Sequence, residues 1–155
     1  MAPTTRPQRI EPVFILYRER DRMVTFEPED EDRFNMTVNE VIDACRAYDK
    51  EGRLRVQRQF PQLLRFLGQW ISERRDKVAK ALLTVRDAGL LLVTVTHSTQ
   101  YDDAFEDALT DLALEAAGHF ADLPLDVQSL PKCGPECYLS FCNPEQMILE
   151  YRFNA

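Results

Sequence analysis

Leu90-Leu91-Leu92-Val93-Thr94-Val95-Thr96 is the stretch that decides the fold class of this chain. It is too short for an average helix, its second half is β-branched, and its first four residues are apolar without alternation. A run of that kind reads as a central strand covered on both faces. Downstream, Ser98 and Thr99 lead into a helix over Tyr101–His119. Its acids, Asp102, Asp103, Glu106 and Asp107, gather in the first half, where the macrodipole favours negative charge. Phe105, Ala108, Leu109, Leu112 and Ala116 recur at core-facing spacing. Leu125-Asp126-Val127-Gln128-Ser129-Leu130 alternates and reads as a half-buried strand. A strand–helix–strand unit of this length predicts a parallel crossover. Residues 131–142 fit either a short helix from Gly134-Pro135-Glu136 or a strand over Tyr138–Phe141 that turns at Asn143-Pro144. Met147–Phe153 supplies a last strand.

Upstream of the decisive run, Asp76–Arg86 carries Val78, Ala81, Leu82 and Val85 at helical period, which predicts a helix ending at Gly89 as its C′ residue. A hairpin centred on Asp87-Ala88-Gly89 is the competing reading. Phe60, Leu63, Leu64, Leu67, Trp70 and Ile71 form one wide apolar stripe, and Pro61 suits the first turn of a helix bearing it. An earlier helix is predicted to open on a capping box, Thr37 with Glu40, and to carry Val38, Val41, Ile42 and Cys45, with Gly52 closing the helix or its exit loop. Val13–Tyr17 and Met23–Phe26 read as a hairpin joined through Arg18–Arg22, with Pro28 ending the second strand and Glu29–Asp32 an acidic loop. The expected architecture is one α/β (or α+β) domain over residues 12–155. It comprises an N-terminal β-hairpin, central helices, a strand–helix–strand unit and a C-terminal strand, behind a flexible tail at 1–11.

Length and composition are those of a globular domain: 155 residues, 45% hydrophobic and 29% charged. Met1–Arg9 has no apolar run of the kind that forms an export signal, and no stretch approaches the roughly 20 apolar residues of a membrane helix. With four cysteines and no export signal, a cytoplasmic, reducing location and free thiols are expected, without membrane attachment.

Charge is sorted along the chain. Residues 53–86 hold nine Lys/Arg against two acids, whereas residues 87–155 hold twelve acids against two bases, within a whole-chain net charge of −7. Sorting of this kind speaks of partners rather than chemistry. Arg65, Arg74, Arg75, Lys77 and Lys80 are the candidate contacts to a protein partner or a second copy. Nucleic acid is the lesser possibility for the same Arg-rich segment, because any polyanion must also approach the acidic segments. Asp103, Asp107 and Asp111 form an i, i+4 ladder with Glu106 beside it, which reads as a solvated face or a docking surface for a basic partner.

Catalytic signatures are sparse. His97 falls at the carboxyl end of the predicted central strand, where ligands collect in open α/β sheets, and Tyr101, Asp102 and Asp103 follow it. These four form the alternative site, a small enzyme or ligand-binding centre with His97 as general base. The plainer reading is a strand-end histidine beside a helix cap. Cys133, Cys137 and Cys142 have x3 and x4 spacings. Residues five apart diverge on both helix and strand, so no metal site is expected. Ordinary free thiols are the first reading, and a disulfide or reactive thiol the second. No P-loop, HExxH or GxSxG is present, so no cofactor is expected. The functional expectation is a non-enzymatic protein-interaction or accessory subunit.

Overall fold

In a computed structural model of the chain, residues 13–19, 22–25 and 31–153 are described. The predicted 1–11 tail, Pro28 and the start of the Glu29–Asp32 loop lie outside them. The described strands form one mixed sheet: β1 (Val13–Glu19), β2 (Arg22–Thr25), β3 (Val78–Arg86), β4 (Gly89–Thr96), β5 (Leu125–Leu130) and β6 (Ile148–Phe153). Their order is β2-β1-β6-β3-β4-β5. β4 and β5 run parallel, as the crossover reading requires, and α3 (Asp103–His119) connects them. The other described pairings are antiparallel. Helices α1 (Glu31–Ala44), α2 (Lys50–Glu73) and α3 pack on one face through a cluster containing Phe60, Leu83, Leu92, Leu109 and Tyr151. Residues 131–147, with α4 (Pro135–Tyr138) and a 3₁₀ turn at Leu139–Phe141, supply Tyr138 and Cys142 against Leu82, Val93 and Ile148 on the other face. The chain is thus an α/β domain, and of the two readings of 131–142 the helical one holds.

The largest correction concerns residues 76–88, which form a strand and a turn. Register pairs Arg86 with Gly89, so Asp87 and Ala88 are the hairpin loop, and Asp87 turns the chain at φ 54°. The physical reason is two-sided burial. β3 lies between β6 and β4, and every residue from Ala81 to Val85 is buried, so the period of two vanishes from the sequence. Helix starts are corrected too. α1 begins six residues before Thr37, whose buried hydroxyl donates to Arg33 O at 2.9 Å, while Glu40 accepts from Met147 N across the fold. α2 begins at Lys50, capped by Asp49, which accepts from Gly52 N at 2.6 Å. Gly52 therefore opens a helix rather than closing one, and Pro61 sits inside α2. In the first hairpin, Glu19 pairs with Arg22, a two-residue connection instead of five.

Glu150 is a charged residue at the centre of the sheet, on β6, with its side chain 7% exposed. It lies on the face away from the three long helices and accepts from Lys80 Nζ at 2.9 Å and from Arg152 Nε. Burial acts to raise its pKa, but the two cationic donors outweigh burial and hold it below the ordinary value of 4.5. A depressed carboxylate contributes stability that is complete above the unfolded-state value and lost as pH falls through the folded one. Glu150→Gln is expected to cost about 1–3 kcal/mol at pH 7, because Lys80 and Arg152 lose their partner but reach water. Urea unfolding of both proteins should show this difference shrinking below about pH 4.5. A difference independent of pH would contradict the ion network.

Candidate functional site

α2 meets α3 and the residues just after it through side chains, in opposite chain order. Arg55 and Gln59 donate to Asp122 at 3.1 Å each, Phe66 meets His119 and Phe120, and Trp70 meets Phe105. Between them is a groove of about 380 Å³ lined by Phe66, Gln69, Trp70, Glu73, Arg74, Ala108, Asp111, Leu112 and Glu115. Its floor is aromatic and aliphatic, while Glu73, Asp111 and Glu115 place exposed carboxylates on the rim. Arg74 lies over the Trp70 ring at 4.4 Å, donates to Trp70 O at 3.3 Å and stands 3.7 Å from Glu73.

The five proposed partner contacts are separated by the fold. Arg65 is exposed on α2, and Arg74 is the α2 C-cap residue within the groove. Arg75 follows α2, and Lys77 Nζ pairs with Asp102 at 3.1 Å. Lys80 is on the opposite face of the sheet, bonded to Glu150 with Tyr138 beneath it at 5.1 Å. Several basic side chains are therefore spent inside the molecule. Arg53, Arg58, Arg65 and Arg75 are all exposed and have no ion pair among the described residues. On α3, Asp103, Asp107 and Asp111 are exposed and likewise have no ion pair among the described residues.

His97 occupies the predicted position after β4 but is not brought into a catalytic pair. Its backbone N–H donates to Lys77 O at 3.0 Å, and Nε2 lies 3.1 Å from Arg75 O, so that nitrogen carries the ring proton. Asp102 caps α3: Oδ1 accepts from Phe105 N at 3.0 Å and Oδ2 from Lys77. The Phe105 N–H, followed by Lys77, holds this carboxyl below its usual range. Tyr101 is 75% exposed and, with Asp102, Thr99, Gln128 and Ser129, lines a cleft of about 290 Å³ from which His97 is absent. Asp103 exposes its side chain to solvent in the first turn of α3.

The groove itself is not legible in the sequence. Trp70 reads there as part of the core stripe and Asp111 as part of the acid ladder, and only the folded chain puts them in one cleft. Comparison of the chain with protein-family models, curated proteins and solved structures found no match.

Proposed function

We propose that this protein is an interaction or accessory subunit whose helix layer docks a second copy of the chain through opposed charges. The observation that carries this reading is the juxtaposition on one face of arginines without an ion pair among the described residues and an acid-rimmed, aromatic-floored groove. The groove already seats one guanidinium, Arg74 over Trp70, and the Asp111 and Glu115 carboxylates at its rim are placed to take an arginine of the second copy. Arg55 and Gln59 reach Asp122, just past the carboxyl end of α3, whereas Trp70 reaches Phe105 near its start, so the basic part of α2 and the acidic start of α3 occupy diagonal corners of the layer. A twofold axis along the other diagonal lays each corner on its opposite in the copy, which is the self-complementarity an isologous dimer needs. Nucleic acid is the weaker partner for this face, because a polyanion reaching Arg58 and Arg65 also meets the α3 carboxylates.

Sedimentation equilibrium tests the reading. Wild-type protein is expected to self-associate at low ionic strength and to weaken at about 0.5 M salt, since exposed charges are screened. Arg58→Glu/Arg65→Glu and Asp107→Lys/Asp111→Lys should each associate at least tenfold more weakly. All four positions are exposed, so stability should move by no more than about 0.5 kcal/mol per site. An equimolar mixture of the two variants should recover association, because every contact in the mixed dimer is again attractive. Failure of the mixture to associate, or a wild type that stays monomeric at low salt, overturns the proposal. Submicromolar binding of DNA or RNA at about 0.15 M salt, lost in the arginine variant, would assign the basic ridge to nucleic acid instead.

A further inference from the structure

We propose that the outer edge of β5 takes an extended, basic peptide segment of another protein as an added strand, with a Lys or Arg side chain of that segment in the cleft beside Tyr101. The inference is independent of how the helix layer is used. β5 is the last strand of the sheet and pairs with β4 on one side. Thr94 and Thr96 of β4 donate their hydroxyls to Gln128 O and Leu130 O at 3.4 Å each, so the backbone groups of Gln128 and Leu130 face β4. Backbone groups alternate in direction along a strand, so the N–H and C=O of Val127 and Ser129 face outward. Of these, Ser129 O accepts from Gln128 Nε2 at 3.0 Å, a side chain standing in for a neighbouring strand. The Val127 N–H and C=O and the Ser129 N–H have no partner among the described residues. A row of unpaired main-chain groups is a template for strand addition.

Charge complementarity names the occupant. The cleft of about 290 Å³ borders Gln128 and Ser129 on β5 and Tyr101, Phe105 and Glu106 at the start of α3, which leaves room for one long side chain beside the edge. Asp102 in its wall already holds Lys77, whereas Glu106 has no ion pair among the described residues. A carboxylate together with the exposed Tyr101 ring suits the ammonium or guanidinium of an incoming side chain. Asp126, exposed on β5 itself, adds a second carboxylate without an ion pair among the described residues, and Lys132, the cation nearest in sequence, lies beyond Pro131. An acidic segment would meet both carboxylates with like charge, which disfavours it. Main-chain pairing supplies the attraction common to any extended segment, and the cleft supplies the choice of side chain.

The test titrates the full chain with short acetylated peptides in which valine and threonine flank a central lysine, arginine, serine or glutamate. Binding is read by fluorescence anisotropy and amide exchange by NMR, at about 0.15 M salt. In the protein alone, the Val127 and Ser129 amides should exchange at least tenfold faster than those of Gln128 and Leu130. The lysine- and arginine-centred peptides should bind about tenfold more tightly than the glutamate-centred one and should slow the Val127 and Ser129 amides. N-methylation of the peptide amides that face β5 leaves the protein untouched and should abolish binding. Glu106→Gln, with an unfolding midpoint close to wild type to show that it folds, should lose most of the preference for a basic centre while still binding the serine-centred peptide. No binding by any peptide at about 1 mM, binding that leaves Val127 and Ser129 unprotected, or a basic preference unchanged in Glu106→Gln overturns the proposal.

Discussion

Leu92→Ala is expected to destabilise the protein by about 2–5 kcal/mol, the range for emptying a large aliphatic site in a close-packed core. Leu92 is 0% exposed and sits in mid-strand on β4, with Leu83 of β3 on one side and Val127 of β5 on the other. Its side chain belongs to the cluster between sheet and helices, which includes Phe105, Leu109 and Leu112 of α3. Cross-strand neighbours and a helix above leave little freedom to close the void, which argues for the upper half of the range. All eight residues of β4 are buried, including Thr94 and Thr96, whose hydroxyls are spent on Gln128 O and on Ser98 O. Urea unfolding should show a lower midpoint at unchanged slope. Amide exchange should rank Leu91–Val95 among the slowest sites of the wild type. Exchange there as fast as at the exposed Asp87-Ala88 turn, or a cost below about 1 kcal/mol, would mean that β4 is not the centre of the core.

The same burial explains what is legible in the sequence. β5 and α3 each keep one face toward solvent, so their periods of two and of about 3.6 survive, and both lie where those periods put them. β4 is legible because it is apolar and bounded, and two-sided burial is what an unbroken run implies. β3 has the same environment, but Lys80, Thr84 and Arg86 interrupt it, and the remaining apolar positions mimic a helix. Thr37 and Glu40 have the letters of a capping box, yet both side chains serve other bonds once α1 begins at Glu31. The candidate site is legible only as charge. Which cations stay free depends on strand order: Lys80 meets Glu150 because β6 inserts beside β3, and Lys77 meets Asp102 because β4 lies alongside β3 and leads to α3. Neither adjacency is local in the chain, so Arg58 and Arg65 cannot be told from Lys80 until the sheet is assembled.

Gly89→Ala is expected to cost about 2–4 kcal/mol, although most glycine-to-alanine changes at compatible sites stabilise by about 0.4–1 kcal/mol through the unfolded chain. Space decides the sign. A Cβ at Gly89 would stand 2.4 Å from Pro124 O and 3.0 Å from Pro124 Cβ. The nearest atom is a backbone oxygen, so no rotamer change relieves the contact, and overpacking of this kind costs about 1–3 kcal/mol. The same oxygen accepts from Leu90 N at 2.8 Å, the bond that holds the start of β4 against the chain entering β5. Pushing Pro124 away lengthens that bond, which adds about 0.5–1.5 kcal/mol. Gly118 supplies the control: it lies in the last turn of α3, where a methyl group would meet nothing within 4 Å, and Gly118→Ala should stabilise by up to about 1 kcal/mol. Urea midpoints should therefore move in opposite directions for the two variants, and the Leu90 amide should exchange faster in Gly89→Ala alone. A neutral Gly89→Ala would mean that the hairpin does not approach Pro124 closely, and with it would fall the packing that holds β5 beside β4.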